Sequence, residues 1–260
     1  MSTLSFASMM QTANKAPVET STEVQPLPAG TYRAEAPRFS IRGGLSNNNP
    51  KKPDNFWANL DIAFLVNDPK MEDEGLPVRE VSINLQSGAL QDATIGLGFN
   101  DLVLEDGRKI QLGIDFEQNP RFWGMLGPIC GFLGLAESRN NGTKYAYPEE
   151  SEVIACFQTA ESYVKAGEAI INNEYPEDPK GNRVENEKLY GLCMAQHQIA
   201  ALQALLKEYL TKNPLQFEVV LTTSADPMDK SNTPDAEKKQ VNNVVNVFLI
   251  ENEDSKKRLF

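Results

Sequence analysis

The chain has 260 residues, 25 of them Lys or Arg and 36 Asp or Glu, for a net charge of −11, and is 40% apolar and 8% aromatic. That composition can fill a core, which excludes wholesale disorder, and the length excludes a disulfide-stapled miniprotein. No apolar run reaches the ~20 residues that cross a bilayer: the longest candidate, 122–136, is broken by four glycines and Pro128.

Residues 1–26 are rich in Ser, Thr and Met and read as an arm without a secretory signal, with a short helix over 4–13. Thr31 to Ile41 alternates as a strand, then a loop rich in Gly, Asn, Pro and Lys runs to Asn55. Phe56 to Val66 places Phe56, Ala58, Leu60, Ile62, Phe64 and Val66 on one face, the period of a half-buried strand. Further strands are expected at 78–86, 93–104 and 109–116, the last two joined at Asp106-Gly107. Asn119-Pro120 then opens a helix that the glycines and Pro128 predict to be kinked or in two pieces. Residues 138–149 read as a polar loop. Amphipathic helices are predicted over 150–172 and 186–212, most simply as an antiparallel pair. Strands resume at 215–223 and 241–250, around a charged loop, and residues 251–260 read as a loose charged tail.

Strands on both sides of the helices must share a sheet or leave raw edges. The expected fold is α+β: an OB-like antiparallel β-barrel or curved sheet with a helical-hairpin insertion. The β domain would comprise 27–137 and 214–250, with the insertion at 138–213.

Rare residues exclude several chemistries. Cys130, Cys156 and Cys193 form no CxxC pair and read as reduced, packed thiols, which suits a cytosolic location. The single histidine, His197, lies four residues after Cys193, so the two can touch on one helix face, but no pocket or GxSxG elbow accompanies them. Gly43-Gly44 and Gly96-Leu97-Gly98 lack the rest of a phosphate loop, and Asp226 to Thr233 lacks the central glycine of a calcium loop. Asn141-Gly142-Thr143 reads as a turn. No enzyme activity, metal or cofactor is expected.

One local feature runs against the global charge. Residues 31–60 hold Arg33, Arg38, Arg42, Lys51 and Lys52 against Glu35 and Asp54, a net +3, together with Tyr32, Phe39, Phe56 and Trp57. By alternation Trp57 falls on the polar face of its strand, where an indole is either covered by the helices or offered to a ligand. Bases stack on such rings for about 1–3 kcal/mol each, and neighbouring cations neutralise phosphates. Phe39 and Trp57 are therefore the candidate stacking residues, with the five cations holding the backbone. Arg121 and Trp123 repeat the pairing at the start of the kinked helix and read mainly as packing. The glutamates of the long helices read as a solvated or protein-facing acidic surface.

Pro28-Ala-Gly30-Thr-Tyr32-Arg-Ala34, the basic loop and Phe56-Trp-Ala-Asn-Leu-Asp-Ile-Ala-Phe64 together resemble the opening of phage-encoded single-stranded-DNA-binding proteins of the OB-fold type. The Gly- and Leu-rich stretch 119–135 and the closing pair Phe217–Leu221 and Asn243–Leu249 are similar to later parts of that family. The resemblance covers about 150 residues and departs from the family in its large helical block and in a C-terminus that carries Lys256, Lys257 and Arg258. It implies a non-enzymatic protein of DNA replication or recombination in the host cytoplasm. Its implied partners are single-stranded DNA and replication or recombination proteins; the sequence leaves the oligomeric state open, a homo-oligomer included. The alternative class is a protein-interaction or virion-associated structural module working through the acidic helix pair.

Overall fold

The computed structural model describes residues 26–35, 37–45, 56–89, 101–103, 109–111, 120–135, 139–140, 145–146, 152–227, 229–235, 237–252 and 255–259. Its first strand is bent. β1 (Gly30–Ala34) and β2 (Arg38–Leu45) both pair with β3 (Phe56–Val66). The register slips by one residue between Ala34↔Val66 and Arg38↔Ala63, a bulge at the break that contains Pro37, a residue with no N–H for the ladder. After a short helix α1 (Pro69–Asp73), N-capped by the Asp68 carboxylate, β4 (Arg79–Ala89) pairs with the other edge of β3.

Among the described residues the chain returns to this sheet at β9 (Gln216–Ala225), which lies antiparallel beside β1. The order β9–β1/β2–β3–β4 is that of a Greek key. β10 (Gln240–Asn252) adds to β9, and the sheet curls until β10 comes alongside β4. This strongly curled, antiparallel half-barrel is compatible with an OB-like curved sheet. The segment expected to be a loose charged tail instead supplies β11 (Ser255–Arg258), paired with β10, and Leu259 is buried in the main core.

Between β4 and β9 lie two small hairpins, β5 (Asp101–Val103) with β6 (Lys109–Gln111) and β7 (Arg139–Asn140) with β8 (Tyr145–Ala146). Both are separate from the main sheet, and the rest of the strands expected over 93–104 and 109–116 lies outside the described residues. Helix α2 (Pro120–Phe132) is one uninterrupted helix with Pro128 inside it, not two pieces. Its face of Phe122, Met125, Leu126, Ile129 and Cys130 is fully buried, and that packing holds the helix through the proline. Gly134 ends it at φ +72°, with the Leu135 N–H reaching back to the Cys130 carbonyl.

The helix predicted over 150–172 is two helices, α3 (Glu152–Thr159) and α4 (Glu161–Ile171), separated by Ala160 at φ −54°, ψ 123°. The reason is helical phase. Val153 and Phe157 bury in the main core, and Ala166 and Ile170 in a second cluster with Tyr190 and Met194. Phe157 and Ala166 stand about two and a half turns apart, so one straight helix would point them oppositely. The extended Ala160 resets the phase, and both pairs then reach α5 (Tyr190–Lys212). Glu152 bonds Tyr209, Gly167 faces Met194, and Ile170 packs with Tyr190, so the two helices and α5 run antiparallel, as expected. α5 lies against β2, and the Gln203 Oε1 accepts from the Phe39 N–H at 2.9 Å. One hydrophobic core thereby joins sheet and helices.

Candidate nucleic-acid interface

Burial alternates along β2 and β4, whereas on β3 the outward Asp61 and Ala63 are covered as well. Phe39 and Ile41, Leu60, Ile62, Phe64 and Val66, and Val81, Ile83 and Leu85 are buried inside the curl. The opposite face carries Arg38, Ser40 and Arg42 from β2, Asn59 and Asp61 from β3, and Glu80, Ser82 and Asn84 from β4. This outward surface is polar, and rich in amides and hydroxyls.

Two of the predicted cations stand on it, about 13 Å apart at four residues of strand rise. Arg38 Nη2 lies 2.8 Å from both carboxylate oxygens of Glu80, with both side chains largely exposed. Arg42 Nε donates to Asp61 Oδ2 at 3.1 Å, and Asn84 Nδ2 donates to the other oxygen at 2.9 Å. Asp61 is only 7% exposed, because these two partners cover it. The positive excess along residues 31–60 is therefore partly cancelled in space. Glu80 and Asp61 arrive from beyond that window, and only strand pairing shows it.

Arg33 points outward from β1, directly opposite Glu218 of β9. Its side chain borders an open groove of about 410 Å³, walled by Leu210, Pro214 and Leu215. Its backbone N–H donates to Asp68 Oδ2 at 2.7 Å. Phe39 requires correction as a stacking residue. It is 2% exposed and packs edge-on against Phe122 with ring centroids 5.4 Å apart, so its ring belongs to the core. Phe39 faces inward because it is the direct cross-strand partner of Ile62, which is itself buried. The backbone of Trp57 is paired on both sides, with Gly44 and with Ala89. The Trp57 side chain, Lys51, Lys52, and the side chains of Arg121 and Trp123 lie outside the described residues.

Tyr32, the aromatic of the Gly-x-Tyr opening, is also core. Its hydroxyl donates to the Pro28 carbonyl at 2.8 Å and the Lys70 ammonium caps its ring at 3.9 Å. That arrangement fixes the entry of β1. Asn242 fixes it further, accepting from the Leu27 N–H and donating to the Leu27 carbonyl at 2.9 and 2.8 Å.

Cys193 and His197 do come together, but on a shared acceptor. The thiol donates to the Glu177 carbonyl at 3.3 Å, and His197 Nε2 lies 2.7 Å from the same oxygen. Burial, with the Asp178 charge behind it, pushes the Cys193 thiol up to about 12. The pair clasps the 173–186 loop to α5. Within that loop Asp178 accepts from the Lys180 and Asn182 backbone N–H groups and from the Asn182 amide. Burial alone would raise the Asp178 carboxyl, yet these hydrogen bonds bring it below its ordinary value. Among the described residues no helix is long and apolar enough to cross a membrane. No family model, no curated protein and no solved structure matches this chain.

Proposed function

We propose that this protein binds single-stranded DNA without chemical turnover, as an accessory of phage replication or recombination, and that its curled sheet is an OB fold carrying a helical insertion. The observation that carries the reading is the Greek-key order with a bent first strand. OB folds bind oligonucleotides on the face of their second and third strands, between the loop joining strands one and two and the loop joining strands four and five. Here those strands are β3 and β4. The loops are 46–55, with Lys51 and Lys52, and 226–239. The polar outward face of β2, β3 and β4 supplies Arg38 and Arg42, both with exposed side chains, and the exposed Glu80 partner of Arg38 can yield to phosphate. The sequence resemblance at 28–34 and 56–64 points the same way.

Anisotropy with a fluorescent oligothymidylate at two salt concentrations tests this. Trp57→Ala is expected to weaken binding about tenfold. Replacing Lys51 and Lys52 by Glu is expected to flatten the slope of log K against log salt by roughly 1.4, at ~0.7 per phosphate on a single strand. No binding at low salt sinks the proposal.

A second reading rests on α4. Val164 and Ile171, two turns apart, are 42% and 58% exposed, an apolar edge beside the acidic positions Glu161 and Glu168. It makes the helix pair a protein-docking surface and the sheet its scaffold. A complex that survives deletion of the 46–55 loop would favour it.

A further inference from the structure

A second cation–aromatic surface stands on the opposite half of the curl, where the sequence pattern predicts none. Phe217, Val219, Val247 and Leu249 point inward and are buried. The intervening register sends Arg33, Glu218, Phe248 and Arg258 outward in one row across β1, β9, β10 and β11, each the direct partner of the next. Three strand spacings set the two arginine positions roughly 14 Å apart. Lys256, also on β11, reaches diagonally to the Glu218 carboxylate and holds its charge. The row therefore brings three cations and one carboxylate to a single face of a molecule with net charge −11.

The ring in this row is half-buried, on a face where polar residues are the norm. Val220 of β9 and Ile250 of β10 are half-buried beside it and extend it into a small apolar platform. A π-face bracketed by cations suits a ligand with flat apolar rings and repeating negative charge. An unpaired polynucleotide has both, and a duplex hides its rings in the stack. Arg33 stands on the same bent strand and the same face as Arg38 and Arg42, so this row continues the surface described above.

We infer that the outward row Arg33–Glu218–Phe248–Arg258, with Lys256, is a second contact for single-stranded DNA, in which Phe248 stacks a base and the β11 cations hold the flanking phosphates. The inference rests on the single-strand-binding reading and assigns it a path across the bent strand. The Lys256–Glu218 pair is the natural exchange point. Its Lys256 end is exposed while Glu218 is half-buried, so the ammonium can turn from Glu218 to a phosphate at the surface.

The test uses the full-length protein and the same labelled oligothymidylate, with a duplex of equal length as control. Phe248→Ala is expected to weaken single-strand binding about tenfold, and Phe248→Tyr to retain it. Lys256→Gln is expected to lower the salt slope by about 0.7. Lys256 is exposed, so this variant reports on binding whatever Phe248→Ala does to stability. If wild type binds, Trp57→Ala weakens it, and all three variants keep wild-type affinity and slope, the row is overturned while the parent reading stands. An equal loss of duplex binding in Phe248→Ala also overturns it, since a generic polyanion patch would behave that way. Failure of wild type to bind at low salt ends both.

Discussion

The three cysteines show what burial does to single groups. Burial pushes the Cys130 thiol up to about 12, with Cys156 nearby adding to it, and pushes Cys156 itself to about 11; Cys193 stands at about 12. An unfolded thiol ionises near 8.5. Below that pH both states hold the proton and these groups add no pH dependence. As pH rises from about 9 towards 12 the unfolded chain releases protons that the folded chain keeps, and folding stability falls. Urea midpoints are therefore expected to hold steady between pH 7 and 8.5 and to drop by pH 10.5. At pH 8 the native protein is expected to react slowly with a thiol-specific chromogenic disulfide, and the urea-unfolded protein to react at all three positions. Rapid native labelling would contradict the burial. The packed, reduced character of the cysteines was legible from their number and spacing. The partners of Cys193 and His197 were not, because Glu177 comes from a loop that folds back from twenty residues away.

At the scale of elements, α5 does more than fill space. β2 has a free edge, and an unpaired strand edge invites pairing with another chain. α5 covers it, and Gln203 satisfies the Phe39 N–H. Gln203→Ala leaves that donor without its partner and is expected to cost about 1–2 kcal/mol, read as a lower urea midpoint at unchanged slope. An unchanged midpoint would show that water replaces the amide. The helical character of 152–171 and of α5 was readable from apolar spacing, and the structure adds that Asn186 caps the 3₁₀ turn that opens α5. The break at Ala160 was not readable. Alanine is a good helix former, and the break comes from two clusters that lie on different sides of α5. α2 errs the other way: Pro128 signals a break, and the buried face overrides it.

For the whole molecule, the decisive event is the return of the chain after residue 215 to pair β9 with β1. It converts a three-stranded meander into a Greek key, and β10 and β11 complete the curl. β11 is expected to be integral, since the Leu259 N–H donates to the Val247 carbonyl at 2.8 Å and its side chain is buried. Deleting residues 255–260 strips that side chain and uncovers the β10 edge. The expected result is a loss of about 2 kcal/mol or more and self-association in sedimentation velocity. A monomer of unchanged stability would show that the strand is an ornament of the sheet.

What the sequence by itself determined is local: the strand at β3, the placement of β9 and β10, and the class of an antiparallel sheet interrupted by helices. These follow from periods of two and of 3.6, which neighbouring residues carry. Only the tertiary structure decided which side chains share a surface. Phe39 went to the core, Arg38 and Arg42 met carboxylates from other strands, and a stretch that reads as a loose tail became a strand bearing two cations beside Phe248. Charge and stacking act through space at a few ångströms, and strand pairing brings together residues that the chain separates by up to two hundred positions.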